Sequence, residues 1–267
     1  SLISLASWVA KRQAALGLTR TSLLTQTPAL AAKSAAKTST LRAPAARASG
    51  ITPQRDAVLL PNTSQLTLTL LFGDSGAGSQ SGDPVKLAIY DLINEEWITA
   101  EVDWSCGPRH AVAMAVAQGT ADAFYFYGGQ QDGSPVGGLF AHTLEPDSLL
   151  GGEDVAALDD GQLLNPGPRR YAVLAHDHRS QALYLFGGDD GDGRRNDLWR
   201  YSLVDQGWTL LSSGAGSDAP PAILAAGLFI SPVDGALYLI AGTQTGQNER
   251  MWRFHHGMWQ KASRWMP

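Results

Sequence analysis

Short runs of aliphatic, β-branched and aromatic residues, each stopped by glycine, set the rhythm of the chain. The clearest are Leu68-Thr69-Leu70-Leu71-Phe72-Gly73, Phe124-Tyr125-Phe126-Tyr127-Gly128-Gly129, Leu183-Tyr184-Leu185-Phe186-Gly187-Gly188 and Leu237-Tyr238-Leu239-Ile240-Ala241-Gly242. Runs of this length bounded by Gly, Asp and Asn predict strands. The glycines Gly73, Gly128, Gly187 and Gly242 stand 55, 59 and 55 residues apart. A recurrence at this period is the mark of a repeated structural unit. The longest apolar run, Ala222 to Ile230, is far short of a membrane span.

Other positions keep the same rhythm. Arg55, Arg109 and the pair Arg169-Arg170 open the first three units. Tyr90 to Trp97 and Tyr201 to Trp208 are both seven residues, and Phe254 to Trp259 is five. Each unit therefore reads as four short strands. Glycine directly after a strand suits a tight bend with positive φ, where a side chain clashes. The late Tyr and Trp are large enough to fill the wedge between neighbouring sheets. One four-stranded sheet cannot bury both of its faces, so the units are expected to stack, and radial stacking leaves only short edges.

These features resemble the kelch-repeat β-propeller family. The residues that carry the resemblance are Gly187-Gly188 with Trp199, Tyr201 and Trp208, then Tyr90 and Trp97, then Gly242 with Trp252 and Trp259. The first copy has Gly73-Asp74 and the fourth Gly242-Thr243 in place of the glycine pair. The second has Phe140 at the motif Trp and runs into an acidic insertion, Glu145 to Asp160. The resemblance implies an all-β fold: a small kelch-like β-propeller of about four four-stranded blades over residues 53–267. Kelch propellers usually have six or seven blades, so four units point to a small or incompletely closed ring.

Charge divides the chain. The formal net charge is −5, yet residues 1–55 carry eight basic side chains and no acid, which leaves a balance of −13 for the remainder. Residues 1–52 form an arm rich in Ala, Ser and Thr, in which Leu2, Leu5, Val9 and Leu16 share one helical face. The arm is therefore expected to be extended and partly helical. Its composition is that of an organelle presequence. A segment so poor in apolar surface does not offset the roughly 1–2 kcal/mol needed to fix each residue, so any order comes from a partner. Trp8, Lys11, Arg12, Arg20, Lys33, Lys37, Arg42 and Arg47 are the candidate partner-binding residues of the arm.

Candidate chemistry is sparse. His176-Asp177-His178 places two imidazoles at a spacing that presents both rings from one side of a strand, but no third metal ligand is marked, and an exposed strand-end turn is the favoured reading. Asp189-Asp190-Gly191-Asp192-Gly193 lacks the ligand spacing of an EF-hand and reads as a solvated loop partly neutralised by Arg194 and Arg195. The single Cys106 excludes an internal disulfide and reads as a structural thiol. Arg55, Arg109, Arg169 and Arg170 recur with the unit and point to scaffold duty on loop carbonyls. Asn62-Thr63-Ser64 is a glycosylation sequon that matters only in a secreted protein.

No catalytic, cofactor-binding or metal residue is assigned, and a non-enzymatic role is expected. The leading expectation is an accessory or scaffold subunit of a large organellar multiprotein complex, such as a respiratory-chain assembly, mitochondrial with plastid as the alternative. Protein subunits are the expected partners. RNA, including that of an organellar ribosome, is confined to the arm, since the acidic body repels phosphate. The alternative is a propeller enzyme with an unrecognised metal site. The copper-dependent sugar oxidases among kelch-type propellers demand a Tyr, His and Cys constellation; only Cys106 could serve as its cysteine, and no match around it supports the transfer.

Overall fold

A computed structural model describes residues 56–62, 67–73, 82–117, 123–143, 155–159, 162–224, 226–241 and 250–262. These residues form strands and no helix. The first sheet contains β1 (Val58–Asn62), β2 (Thr67–Leu71), β3 (Val85–Asp91) and β4 (Glu96–Val102) in chain order. The second contains β5 (Ala113–Val116), β6 (Ala123–Tyr127), β9 (Leu139–Thr143) and β10 (Ala156–Ala157), with a small hairpin of β7 (Gln130–Gln131) and β8 (Ser134–Pro135) between β6 and β9. The third is β11 (Val173–Asp177), β12 (Ala182–Asp189), β13 (Arg194–Ser202) and β14 (Gly207–Ser212). The fourth is β15 (Gly227–Ile230), β16 (Leu237–Ala241), β17 (Arg250–His255) and β18 (Met258–Lys261). All pairings in these sheets are antiparallel, as in a meander. In the second sheet the fourth strand, β10, comes from within the acidic insertion and pairs Ala156 with Ala141.

The sheets pack face to face in the order of the chain. Strand β6, Ala-Phe-Tyr-Phe-Tyr, is buried at every position because it is covered on both sides. Its period of two sends Phe124 and Phe126 towards Leu71, Phe72 and Ile89 of the first sheet. Tyr125 and Tyr127 go the other way, towards Leu174, Leu183 and Leu185 of the third. A further core joins Phe186 and Leu198 of the third sheet to Leu237, Leu239, Trp252 and Phe254 of the fourth.

Late-strand tryptophans seal these junctions in equivalent ways. Trp208 meets the ring of Tyr127 at 5.5 Å, and Trp259 meets Phe186 at 5.6 Å, both edge-on. Each thus packs on the aromatic residue that precedes the glycine pair of the preceding unit. Trp208 also anchors the linker from the second sheet, donating to Asp159 Oδ2 at 3.0 Å, while Tyr201 Oη donates to the Leu158 carbonyl at 2.7 Å. Burial, with Asp159 nearby, pushes the Tyr201 phenol up to about 12. On the outer face of the fourth sheet, Phe229 stacks on Tyr238 and remains 43 % exposed.

Backbone bonds link the units just before their first strands. Tyr171 N donates to Ala111 O at 2.9 Å, and Ala111 N to Asp56 O at 3.2 Å. Asp56, Ala111 and Tyr171 all adopt left-handed φ values, of 56°, 55° and 58°. The glycine pair of the second unit joins the same junction: Gly129 N donates to Arg169 O at 2.9 Å. Gly188 has φ +97°, and a Cβ there would lie 2.8 Å from Arg170 O and 3.0 Å from Ala172 Cβ. In the first unit, which lacks the pair, the left-handed conformation falls on Phe72, at φ 54°.

Two buried arginines brace the entries to the second and third sheets. Arg109 donates to the carbonyls of Gly128, at 3.0 Å, and Cys106, while Arg169 donates to those of Gly187, at 2.9 Å, and Pro166. Arg169 also pairs with Asp197 at 2.9 Å. Burial holds the Arg109 guanidinium below its ordinary pKa.

Replacing Gly188 by Ala is expected to cost about 2 kcal/mol or more, because positive φ and close backbone contact combine. Gly193→Ala, where a Cβ meets nothing within 4 Å, is the control and should change stability by less than about 0.5 kcal/mol. Arg169→Leu should cost about 3 kcal/mol, since it removes the charged partner of Asp197, leaving Trp199 Nε1 as its donor, and the donor to two carbonyls. Chemical denaturation of the three variants measures all of these.

Candidate binding groove

The first strands of consecutive sheets lie side by side, with β11 between β5 and β15. Beyond the C-terminal ends of β11 and β15 the chain turns back sharply, and a half-open groove of about 300 Å³ lies at the strand ends. Ala115, Val116, Leu174, Ala175, Leu228 and Ile230 supply its apolar lining. The polar groups, His176, Asp177, His178, Arg179 and Ser231, all come from the strand ends and turns.

The turns are built by their own side chains. Asp177 accepts from Arg179 N at 3.1 Å and from Ser180 Oγ at 2.6 Å, which ends β11 at that residue. In the fourth sheet Ser231 Oγ accepts from Val233 N at 3.3 Å, and Asp234 accepts from Ala236 N at 3.2 Å. Burial raises the Asp177 carboxyl, but the bonds from Ser180 and the turn amides, together with His178, outweigh it and hold the group below its usual value. Asp234 is tied to Arg253 at 2.8 Å.

His176 bridges two sheets, its ring 5.5 Å from that of Tyr125. Burial lowers its pKa, Asp177 opposes the shift, and His178 adds to it, so the imidazole is neutral at pH 7. His178 is exposed in the turn after β11, so the two imidazoles are not presented by one strand. Among the described residues, no three or more His, Cys, Asp or Glu side chains are grouped to hold a metal ion.

The other sequence candidates are placed as follows. Asp189 and Asp190 accept from the amides of their own loop, Gly191 N at 3.0 Å and Gly193 N at 2.9 Å, and Arg195 holds Asp190 through Nε at 2.6 Å. The bond from Arg195 is the main reason the Asp190 carboxyl lies below its usual value. Cys106 is buried in the core between the first two sheets. Arg170 bonds Gln130 Oε1 at 2.7 Å and pairs with Asp189. Trp8, Lys11, Arg12, Arg20, Lys33, Lys37, Arg42 and Arg47, with Arg55 and the hydroxyl residue of the sequon, lie outside the described residues. Sequence reasoning missed the groove itself. Its one local signal was the Asp-x-x-Ser and Ser-x-x-Asp turns at 177–180 and 231–234, which mark strand ends but not what lies between them.

Because His176 titrates lower in the folded chain than in the unfolded one, protonation favours unfolding. Stability is expected to fall as pH drops through about 6.5, the unfolded value. A His176→Gln variant should lose less between about pH 7 and pH 5 than the parent, measured by denaturant midpoints across that range. Equal slopes would reject the assignment. Neither a protein-family model nor a curated protein matches the chain.

Proposed function

We propose that the chain is a kelch-type propeller of about four blades that serves as a non-catalytic scaffold, an accessory subunit of a large organellar assembly, mitochondrial rather than plastid. The observation that carries this reading is that four buried polar side chains at corresponding places of the units, Arg109, Arg169, Asp91 and Ser202, bond within the chain itself. Arg109 and Arg169 each tie the entry to a unit's first strand to the carbonyl of that unit's first paired glycine. Asp91 holds the turn after β3 by accepting from Ile93 N at 2.8 Å, and Ser202, its counterpart after β13, bonds Asp205 at 2.8 Å. Charge and hydrogen-bonding capacity that a catalytic site would aim at a substrate are here directed inward.

The face-to-face stacking of consecutive sheets supports a propeller-like arrangement, small or incompletely closed; among the described residues no buried cluster joins the first sheet to the fourth. The division of charge supports assembly: an acid-free basic arm attached to a body of −13 has a long segment to lay along a partner. Among the described residues no helix is long and apolar enough to cross a membrane. Attachment to a membrane-bound complex then runs through protein contacts.

The test is sedimentation of an organelle extract containing either the full chain or a variant lacking residues 1–52. The full chain is expected to travel with a large assembly and the shortened one to remain near the top of the gradient. Undiminished co-migration of the shortened chain would sink the proposal. Release that steepens sharply with salt and follows ribonuclease treatment would assign the arm to RNA instead.

A further inference from the structure

We propose that the groove at the ends of β5, β11 and β15 receives the C-terminal tail of a partner protein, with aliphatic last residues in the apolar wall and the free carboxylate on Arg179. The inference rests on the scaffold reading and names the chemistry of one docking site.

Charge decides the sign of the ligand. Arg179 is exposed at the rim and its guanidinium makes no ion pair among the described residues. The two acids nearby are already engaged, Asp177 with its turn donors and Asp234 with Arg253. The remaining cation is a planar fork suited to a carboxylate. A dianion such as a phosphate monoester would meet the fixed charges of Asp177 and Asp234, so a single negative charge fits best.

Shape decides the rest. Ala115, Val116, Leu174, Ala175, Leu228 and Ile230 line the groove beside its polar strand ends, and about 300 Å³ is the small end of the range for ligand pockets. The groove takes one or two aliphatic side chains but no long alkyl tail. Its open side lets the preceding residues of a polypeptide leave. Capture of a terminal carboxylate is an established way for a protein to recognise a chain end.

The experiment uses the full chain and fluorescent hexapeptides whose last two residues run through Ala, Val, Leu and Ile, each as free acid and as amide, with octanoate as competitor. The best free acids should bind about tenfold more tightly than their amides. Arg179→Gln should abolish that difference while leaving the weak amide binding unchanged. Ala115→Leu, checked for folding by circular dichroism, should remove binding of both forms; if it does not fold, the Arg179→Gln comparison decides alone. Equal binding of acids and amides overturns the proposal, as does failure of every peptide to bind. Octanoate that binds while the peptides do not reassigns the groove to small carboxylic acids and equally overturns it. Tail binding lost while the full chain still sediments with its assembly overturns the groove assignment alone. Tail binding retained without such an assembly overturns the accessory-subunit reading alone.

Discussion

A four-stranded antiparallel sheet has two faces and no means of burying both, and most of what this chain does structurally answers that constraint. The answer is to cover each sheet with the next. Strand β6 illustrates the consequence: with a neighbour on either side, its alternating Phe and Tyr are all buried, and the polar face of an ordinary surface strand is missing. The order of stacking follows the order of the chain, so each junction is made between units close in sequence, at modest loop-closure entropy.

Stacking sheets at an angle leaves a wedge, and the repeat carries the residues to fill it. Trp208 on Tyr127 and Trp259 on Phe186 place large rings at the same point of successive junctions. Close approach then requires backbone without side chains, which is the duty of the glycine pairs. It also leaves carbonyls turned inward with no strand partner. Arg109 and Arg169 satisfy them with charge-assisted bonds. These arginines look catalytic in isolation, being buried, cationic and recurrent. Their partners show that they are struts.

The groove lies at the strand ends of this stack. Ala115 and Ala175 of the first strands are among its apolar lining, and the turns after β11 and β15 supply polar groups. Function at such a place depends on loops held by a rigid scaffold, here through the Asp177 and Ser231 turns. By charge alone the chain divides again, into a body of −13 and an acid-free segment before it.

The repeat was legible in sequence because strand period, glycine punctuation and aromatic spacing are local properties: the runs before Gly128, Gly187 and Gly242 became β6, β12 and β16. The scaffold duty of the arginines was legible for the same reason, through their recurrence. The fourth strand of the second sheet was not, since Ala156–Ala157 is too short and too small to show a pattern and is made a strand only by pairing with Ala141 and Phe140. Nor was the separation of His176 from His178, which depends on where Asp177 finds its turn donors. The groove lay furthest from view: its walls come from residues more than fifty positions apart that share no motif, and an alanine announces nothing until its neighbours are known. By itself the sequence determined the unit, its number and its division from a basic arm. Only the tertiary structure decided which small residues face a common space, because packing between sheets is set by non-local contacts that no local pattern encodes.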